Sequence, residues 1–494
     1  MLAPPVSPRR LTRPQLILLA LVVAGAALRF ATLATQSFWI DEGYTVHLLR
    51  GSLGHLFQGI PKTEETPPLY YVLAWLWTRP FGTSEAGVRS LSALLGTAAI
   101  PVAYLLGRAL VSERAGLIAG ALAAFNPLLV WYSQEARSYA LLVLLSGLSI
   151  VLFLRARDER SGRALGLWAT VSALALATHY FAIFVVIPEA AWLLLGTAAR
   201  RREAALAIAG VGIVGAALLP LAIHQSGNQG ARFIHGTSIG SRLVQVPKQF
   251  LVGYALPSQA AFTAGAAVLA AAALLLLFAK AEPRARRGAA IAGVFAILAA
   301  GVPLIVALAG ADYLITRNVI AGWLPFAIVL AAGLGAARAR LAGPPLAALL
   351  CAVSLTAVIE VDARPAFQRD DWRGATRALG PARVTRALVV SPLNGLIPLG
   401  LYTPDLHRFP AGGLVRVTEI DLLGVAVRRA GETPRPPRPA AFVPHGFRQV
   451  LRLDRPTFTL VRMVSARPIV FSLHRLLGER LDPRAADVLV QTPS

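Results

Sequence analysis

The feature that most constrains this chain is a recurring one. Stretches of roughly twenty residues almost free of charge alternate with short arginine clusters. As a helix rising about 1.5 Å per residue, a run of that length crosses the roughly 30 Å hydrocarbon core of a bilayer. Inside lipid every backbone polar group has to be satisfied within the segment, so helices do the spanning. Eleven segments are read this way, at 14–34, 86–110, 115–132, 138–154, 164–178, 180–198, 204–223, 259–279, 289–310, 318–337 and 342–360. The apolar run 164–198 also fits one long span plus an interfacial piece. Only 15% of the residues are charged, against about 25% in soluble domains. The expected architecture is a polytopic α-helical membrane protein of about 11 transmembrane helices.

The net charge of +23 raises nucleic acid as a partner. The arginines sit between apolar runs, however, where they set orientation, so no nucleic-acid partner is expected. One cysteine, Cys351, excludes an internal disulfide and a cysteine metal cluster. Arg9, Arg10 and Arg13 precede the first apolar run as in a signal peptide. That run lacks a small-residue cleavage site and is read as a retained span. With the N-terminus in the cytoplasm, cytoplasmic segments hold 18 Lys and Arg residues and the opposite loops 8, which supports this orientation. No internal repeat is seen. Residues 361–494 differ in character: they are rich in Pro and Arg and carry short β-like runs such as RALVVSP and FTLVRMVSA. They are read as a small extracytoplasmic α/β domain following a membrane domain over 1–360.

The first outer loop, 35–84, is long, aromatic and acidic within a basic protein. Its core reads QSFWIDEGYTVHLLRGSLGHLFQGIPKTEETPPLYY over 36–71. Loops of that length are functional or disordered, and aromatic content argues against disorder. The following piece, 66–80, is too short to cross and is expected as an interfacial helix with Trp75 and Trp77 at headgroup depth. Asp41 and Glu42 stand just outside the first span. Adjacent residues point in different directions, so one of the two is expected to face a reacting centre; a helix cap is the plainer alternative. Glu65 is expected in the site, held by Pro67 and Pro68, and Glu64 in solvent.

Further candidates come from distant segments that end at the same membrane face. Glu135, Arg137 and Tyr139 fall in WYSQEARSYALL, residues 131–142. Ionisable groups beside an apolar boundary are costly and suggest function, and arginine grips phosphate bidentately; a surface pair between Glu135 and Arg137 is the bland alternative. His179 lies between two spans and is either a ligand, a donor to phosphate, or a satisfied junction histidine. Arg317 is read as a second phosphate clamp or an anchoring charge. Glu189 lies inside a span and is a weaker suspect, and the outer loop holding His224 and His235 is placed to cover the site. In QRDDWRGATRAL, residues 368–379, Asp370 or Asp371 reads as a helix cap. Carboxylates and cations gathered on one face suit a sugar carried on a lipid phosphate.

FWIDEGYT at 38–45, ETPPLYY at 65–71, YSQEARSYALL at 132–142, THYF at 178–181, RNVIAGWLP at 317–325 and DWRGA at 371–375 resemble motifs of the GT-C superfamily. The resemblance is to its bacterial branch related to protein O-mannosyltransferases and the lipid A aminoarabinose transferase. Asn318 stands where those proteins usually carry an aromatic residue. The resemblance implies inverting transfer from a polyprenyl-phosphate-sugar donor to a protein, lipid or glycan acceptor, at the outer face of a bacterial inner membrane. It implies Asp41 as general base, Glu42 as its support, Glu65 and Glu135 as further acidic members, and Arg137 and Arg317 on the donor phosphate. Some relatives use a divalent metal, for which Asp41, Glu65 and Glu135 offer hard oxygen ligands. The alternative reading is a transporter or flippase of lipid-linked saccharides, which favours half-helices and repeats near the midplane.

Overall fold

The computed structural model describes residues 11–158, 162–196, 201–228, 234, 236–410, 412–426, 435–482 and 485–493. Arg9, Arg10 and His235 lie outside the described residues. Each apolar segment falls on a helix or a helix pair. In chain order these are α1 (Arg13–Phe30), α5 (Glu85–Leu110), α6 (Glu113–Phe125) with α7 (Pro127–Ser133), α8 (Tyr139–Asp158), α9 (Gly162–Thr178), α10 (Ile183–Leu194), α11 (Arg201–Ser226), α13 (Gln259–Lys280), α14 (Pro283–Leu308), α15 (Trp323–Leu334) and α16 (Gly343–Ala363). Between them lie α2 (Ile40–Arg50), α3 (Leu53–Thr63), α4 (Leu69–Phe81) and α12 (Ile239–Val252).

Among the described residues seven helices are long and apolar enough to cross a membrane alone: α1, α5, α8, α11, α13, α14 and α16. The pair α6 and α7 makes an eighth, bent by 57°. The protein is an integral membrane protein, but a count of eleven full-length spans is not met. Three of the eleven helices are short because the chain breaks where it reaches the polar end of the bundle. α9 stops at Thr178, and His179 is extended, its side chain accepting from Phe181 N to start a single 3₁₀ turn before α10. α15 likewise follows a 3₁₀ turn at Ile320–Gly322.

The bend between α6 and α7 has its own chemistry. Pro127 opens α7, and the Asn126 side chain accepts from Leu129 N. The carbonyls freed at the end of α6 would be orphaned in an apolar setting. Arg29 of α1, fully buried, donates to the Ala123 and Ala124 carbonyls at 2.9 Å each and to Ser133 Oγ at 3.1 Å. α5 and α6 pack closely enough that a Cβ on Gly107 would lie 2.8 Å from Gly116 Cα. Glycine at both positions lets the two backbones meet.

The acidic stretch is helical rather than loop-like. Ser52 caps α3, accepting from His55 N. α4 is the expected short aromatic helix; Trp75 Nε1 donates to the Gly51 carbonyl at 3.0 Å and Trp77 Nε1 to Ser90 Oγ at 2.9 Å.

Beyond α16 the chain forms α17 (Trp372–Leu379), β1 (Arg386–Ser391), α18 (Leu396–Tyr402), β2 (Leu406–Arg408), β3 (Leu414–Val425), β4 (Phe447–Asp454), β5 (Phe458–Ser472), α19 (Leu473–Gly478) and β6 (Asp487–Gln491). The strands make one sheet in the order β2-β6-β1-β3-β5-β4, with β1 and β3 parallel and the other pairs antiparallel. Strand side chains alternate between faces, so Ala387 and Val389 enter one apolar layer while Leu388 and Val390 join Trp372 and Leu399 in the other. Asp371 caps α17, accepting from Gly374 N at 2.8 Å. The sheet is tied to the acidic stretch. Ser37 Oγ donates to the Asp370 carbonyl at 2.6 Å and accepts from Trp372 N at 3.0 Å. Tyr402 donates to Glu85 at 2.7 Å and accepts from Phe38 N at 2.9 Å.

Candidate active site

α2 begins beside α5 and the segment before α8, and its first turn carries Asp41 and Glu42. A helix turns these neighbours about 100° apart, and the structure sends them to different environments. Asp41 is partly exposed; its Oδ2 accepts from Arg317 Nη1 at 2.9 Å. Glu42 is fully buried and is gripped by Arg89 of α5, Nε to Oε1 at 2.8 Å and Nη2 to Oε2 at 2.5 Å. It also accepts from Ala136 N at 3.0 Å. Arg89 spends its remaining protons on the carbonyls of Leu33, Gln36 and Ser37. Burial opposes the charge on Glu42, but Arg89, Arg369 and the Ala136 amide together hold its carboxyl below the usual range. Glu42 thus fastens α2 to α5 and to the loop before α8 rather than standing beside Asp41.

Glu64, expected in solvent, is fully buried instead. It pairs with Arg137 and accepts from Tyr71 Oη at 2.5 Å; Tyr71 and Thr66 share a further 2.9 Å hydrogen bond. The Pro-Pro turn before α4 brings Tyr71 back onto Glu64, which shields it from water. Arg137 also donates to Thr45 Oγ1 at 3.2 Å, so one guanidinium joins α2, the end of α3 and the segment before α8. Burial pushes the Glu64 carboxyl up, opposed by Arg137 and Tyr71. Glu65 turns the other way, into a cavity. Burial raises its carboxyl as well, against the pull of Arg317 and Arg137.

Glu135 is buried against Arg369, at 3.3 Å. Its Oε1 has no hydrogen-bond partner among the described residues. Burial, only partly offset by Arg369 and added to by Glu42 and Asp41, pushes its carboxyl up to about 7. Arg369 stacks on Trp131 at 4.0 Å and donates to the Trp131 carbonyl and to Gln36 Oε1. His179 is buried; burial and the charges of Arg137 and Arg317 lower its imidazole to about 3, so it is neutral. Because Nδ1 accepts from Phe181 N, the ring proton sits on Nε2. The Tyr139 ring lies tilted 5.9 Å from the His179 ring and 5.9 Å from the Arg317 guanidinium carbon.

A cavity of about 250 Å³ brings together Glu65, Arg137, Tyr139, His179, Arg317 and Asn318. Asp41 stands at its edge through Arg317. A second cavity, about 650 Å³ and almost wholly apolar, runs down between α9, α10, α11 and α14. The two share Tyr180, Phe181, Ala222 and Tyr313 as common wall. One end of the site therefore suits an anion with hydroxyls and the other suits hydrocarbon. Among the described residues no group of three His, Cys, Asp or Glu side chains is placed to hold a metal ion. Asp41, Glu65 and Glu135 do not form one, because Glu135 is turned onto Arg369.

Sequence reasoning passed over Arg89, Arg369, Thr45 and Tyr71. Arg89 had a readable signal: a cation in the second turn of an apolar span needs a partner. Nothing local in Arg369 or Thr45 announces their contacts, which join segments far apart in the chain.

The sequence model described as dolichyl-phosphate-mannose-protein mannosyltransferase matches residues 65–224. No curated protein matches the sequence. Among solved structures, ArnT from Cupriavidus metallidurans in the apo state gives a TM-score of 0.52 at 13% identity, over 90% of this chain and 97% of that one. The same protein bound to undecaprenyl phosphate gives 0.51 at 14% identity, over 90% and 97%. The archaeal oligosaccharyltransferase AglB from Archaeoglobus fulgidus, in complex with an inhibitory peptide and a dolichol-phosphate, gives 0.45 at 15% identity, over 74% and 57%. The fold is similar to that of ArnT, and residues 65–224 match the mannosyltransferase model.

Proposed function

We propose that this protein transfers a sugar, with inversion, from a polyprenyl-phosphate donor to an acceptor at the outer face of a bacterial inner membrane. The observation that carries the reading is the adjacency of the two cavities. An arginine-lined polar chamber of about 250 Å³ lies beside an apolar groove of about 650 Å³, the two sharing Tyr180, Phe181, Ala222 and Tyr313 as wall. A polyprenyl phosphate has this same division, an anion at one end and a hydrocarbon chain at the other. The solved ArnT structures, one of them bound to undecaprenyl phosphate, support the comparison.

In this reading the donor phosphate lies between Arg137 and Arg317, and the neutral His179 adds an Nε2–H donor. Charge-assisted bonds of this kind are the strong ones. Asp41 is the base. The acceptor oxygen or nitrogen attacks the anomeric carbon, and its proton passes to Asp41. The bond from that carbon to the phosphate oxygen breaks, and polyprenyl phosphate leaves with the electron pair. Attack opposite the leaving group inverts the centre. A leaving group already anionic and held by two guanidinium groups needs no general acid, unlike the two-carboxylate arrangement of glycosidases. Arg317 holds Asp41 through Nη1 at 2.9 Å. An arriving phosphate competes for that guanidinium and releases the carboxylate toward the acceptor. Glu65, facing the same chamber, is placed to order the sugar hydroxyls.

The test is donor consumption by the purified protein in lipid, given a panel of labelled polyprenyl-phosphate sugars with crude envelope as acceptor. Consumption of one donor, with release of polyprenyl phosphate, is the expected result. No consumption of any donor, with the labelled lipid instead crossing the vesicle bilayer, would replace the reading with transport.

A further inference from the structure

Glu189, a suspect from its place inside a span, lines neither cavity of the site. It is buried in α10, and its oxygens meet Trp168 Nε1 of α9 at 2.8 Å and Ser149 Oγ of α8 at 2.9 Å. A feature still without a role lies at the other end of the bundle. There α1 and α16 both pack on α6 and frame a separate open groove of about 550 Å³. It shares no lining residue with the two cavities of the site.

The groove has the depth of one leaflet. On α6 it runs from Arg114 to Phe125, and on α16 from Pro344 to Leu355. Each run, at 1.5 Å per residue, measures about 17 Å. Half of a hydrocarbon core of about 30 Å is about 15 Å. α1, α6 and α16 all begin at the groove's mouth, at Arg13, Glu113 and Gly343. α1 and α16 end at the site, where Thr32 Oγ1 lies 3.4 Å from Asp362. The groove therefore faces the leaflet opposite the site.

Its mouth is cationic. Arg114 is the one charged residue of the lining among the described residues. Its Nη2 donates to the Arg340 carbonyl at 3.1 Å, which brings Arg340 beside it. Arg340 and Arg338 are exposed, as is Arg13, one turn before Ile17 of the groove wall. None of these four arginines pairs with a carboxylate among the described residues. Glu113 is turned onto Tyr104, whose Oη donates to it at 3.2 Å. The positive ends of three helix dipoles add to the same field.

We infer that this groove holds an acyl chain of an anionic phospholipid, with the headgroup phosphate on Arg114. Basic pockets between spans suit such headgroups, and the apolar run below Arg114 suits one chain of the same leaflet. A zwitterionic lipid would bring its own ammonium to the arginines. A second copy of this chain, docked by a two-fold axis along the membrane normal, would set arginine against arginine. The inference is independent of the sugar-donor reading.

The experiment uses the full-length protein in phosphatidylcholine nanodiscs doped with a phosphatidylglycerol that carries a diazirine midway along one acyl chain. After irradiation the adducts are mapped by mass spectrometry. They should saturate, fall between Arg114 and Phe125 and between Pro344 and Leu355, and be displaced by unlabelled phosphatidylglycerol. Arg114→Gln should weaken binding about fivefold, and Arg114→Lys should keep most of it. Ala348 is exposed in the groove, so Ala348→Trp fills it without changing charge and should remove the adducts. Adducts spread evenly onto α11 and α13, which are mostly exposed, would overturn the inference. So would equal displacement by added phosphatidylcholine, or an Arg114→Gln variant that binds as wild type does. Oleate that displaces the label as well as phosphatidylglycerol does would overturn the assignment to a phospholipid.

Discussion

Replacing Glu135 with glutamine is expected to stabilise this protein above neutral pH, although it removes one partner of a buried ion pair. The carboxyl rises from 4.5 to about 7 on folding. Below pH 4.5 it is protonated in both states and contributes no pH-dependent difference. Between 4.5 and 7 the unfolded chain loses the proton and the folded one keeps it, so stability falls as pH rises. Above 7 the full penalty applies, about 3 kcal/mol at about 1.4 kcal/mol per pH unit. The ion pair does not offset this because Arg369 is well provided for without it. It stacks on Trp131 at 4.0 Å and donates to Gln36 Oε1 at 3.2 Å and to the Trp131 carbonyl at 3.0 Å. The amide of a glutamine still offers Arg369 an oxygen. The assay is thermal unfolding of wild type and Glu135→Gln in one detergent at fixed scan rate, from pH 5 to pH 8. The variant should melt close to wild type at pH 5 and several degrees above it at pH 8. A difference that is the same at every pH, or a variant that melts lower at pH 8, would refute the reasoning and show that the pair with Arg369 outweighs burial.

Arg89→Met strands the buried charge of Glu42, a change that costs about 3–5 kcal/mol when a buried pair loses one member; the melting temperature should fall sharply, with Arg89→Met plus Glu42→Met recovering part of the loss. His179 is lowered to about 3, so transfer rates between pH 5 and 8 should show no inflection that disappears in His179→Gln, and an inflection near 6.5 lost in that variant would contradict the neutral ring. Ser37→Ala removes the two hydrogen bonds that the Ser37 hydroxyl makes to the Asp370 carbonyl and Trp372 N, at about 1–3 kcal/mol; limited proteolysis between α16 and β1 should accelerate, and an unchanged cleavage rate would show that the tail is held elsewhere.

The helices of the bundle were readable because lipid imposes a length and a composition on each segment. α5, α8, α11 and α14 show this plainly. The kinks were not readable, because they depend on partners far away: the 57° bend after α6 is made tolerable by Arg29 from α1. The site was legible as a set of residue types and a common membrane face. Asp41, Glu65, Arg137, Tyr139, His179 and Arg317 do meet around one chamber or at its rim. Which charge of a neighbouring pair faces that chamber was not legible. In Asp-Glu at 41–42 the outer one is the aspartate, and in Glu-Glu at 64–65 the buried one is Glu64, because Tyr71 folds back over it. Such choices depend on where Arg89 and Arg137 arrive from. DWRGA shows the same difficulty. Its cap, Asp371, follows from a local rule, whereas Arg369 just before it acquires meaning only when Glu135 and Trp131 are brought beside it.

In the proposed reaction Asp41 takes the acceptor proton while the arginines hold the donor phosphate. Transfer and polyprenyl-phosphate affinity, measured side by side in wild type, Asp41→Asn and Arg317→Met, separate these roles. Asp41→Asn should bind polyprenyl phosphate at least as well as wild type, since Arg317 is freed, and lose transfer by about 10²–10⁴-fold. Arg317→Met should lose affinity and transfer together. Transfer that survives in Asp41→Asn, or a loss there explained wholly by weaker donor binding, would contradict these roles.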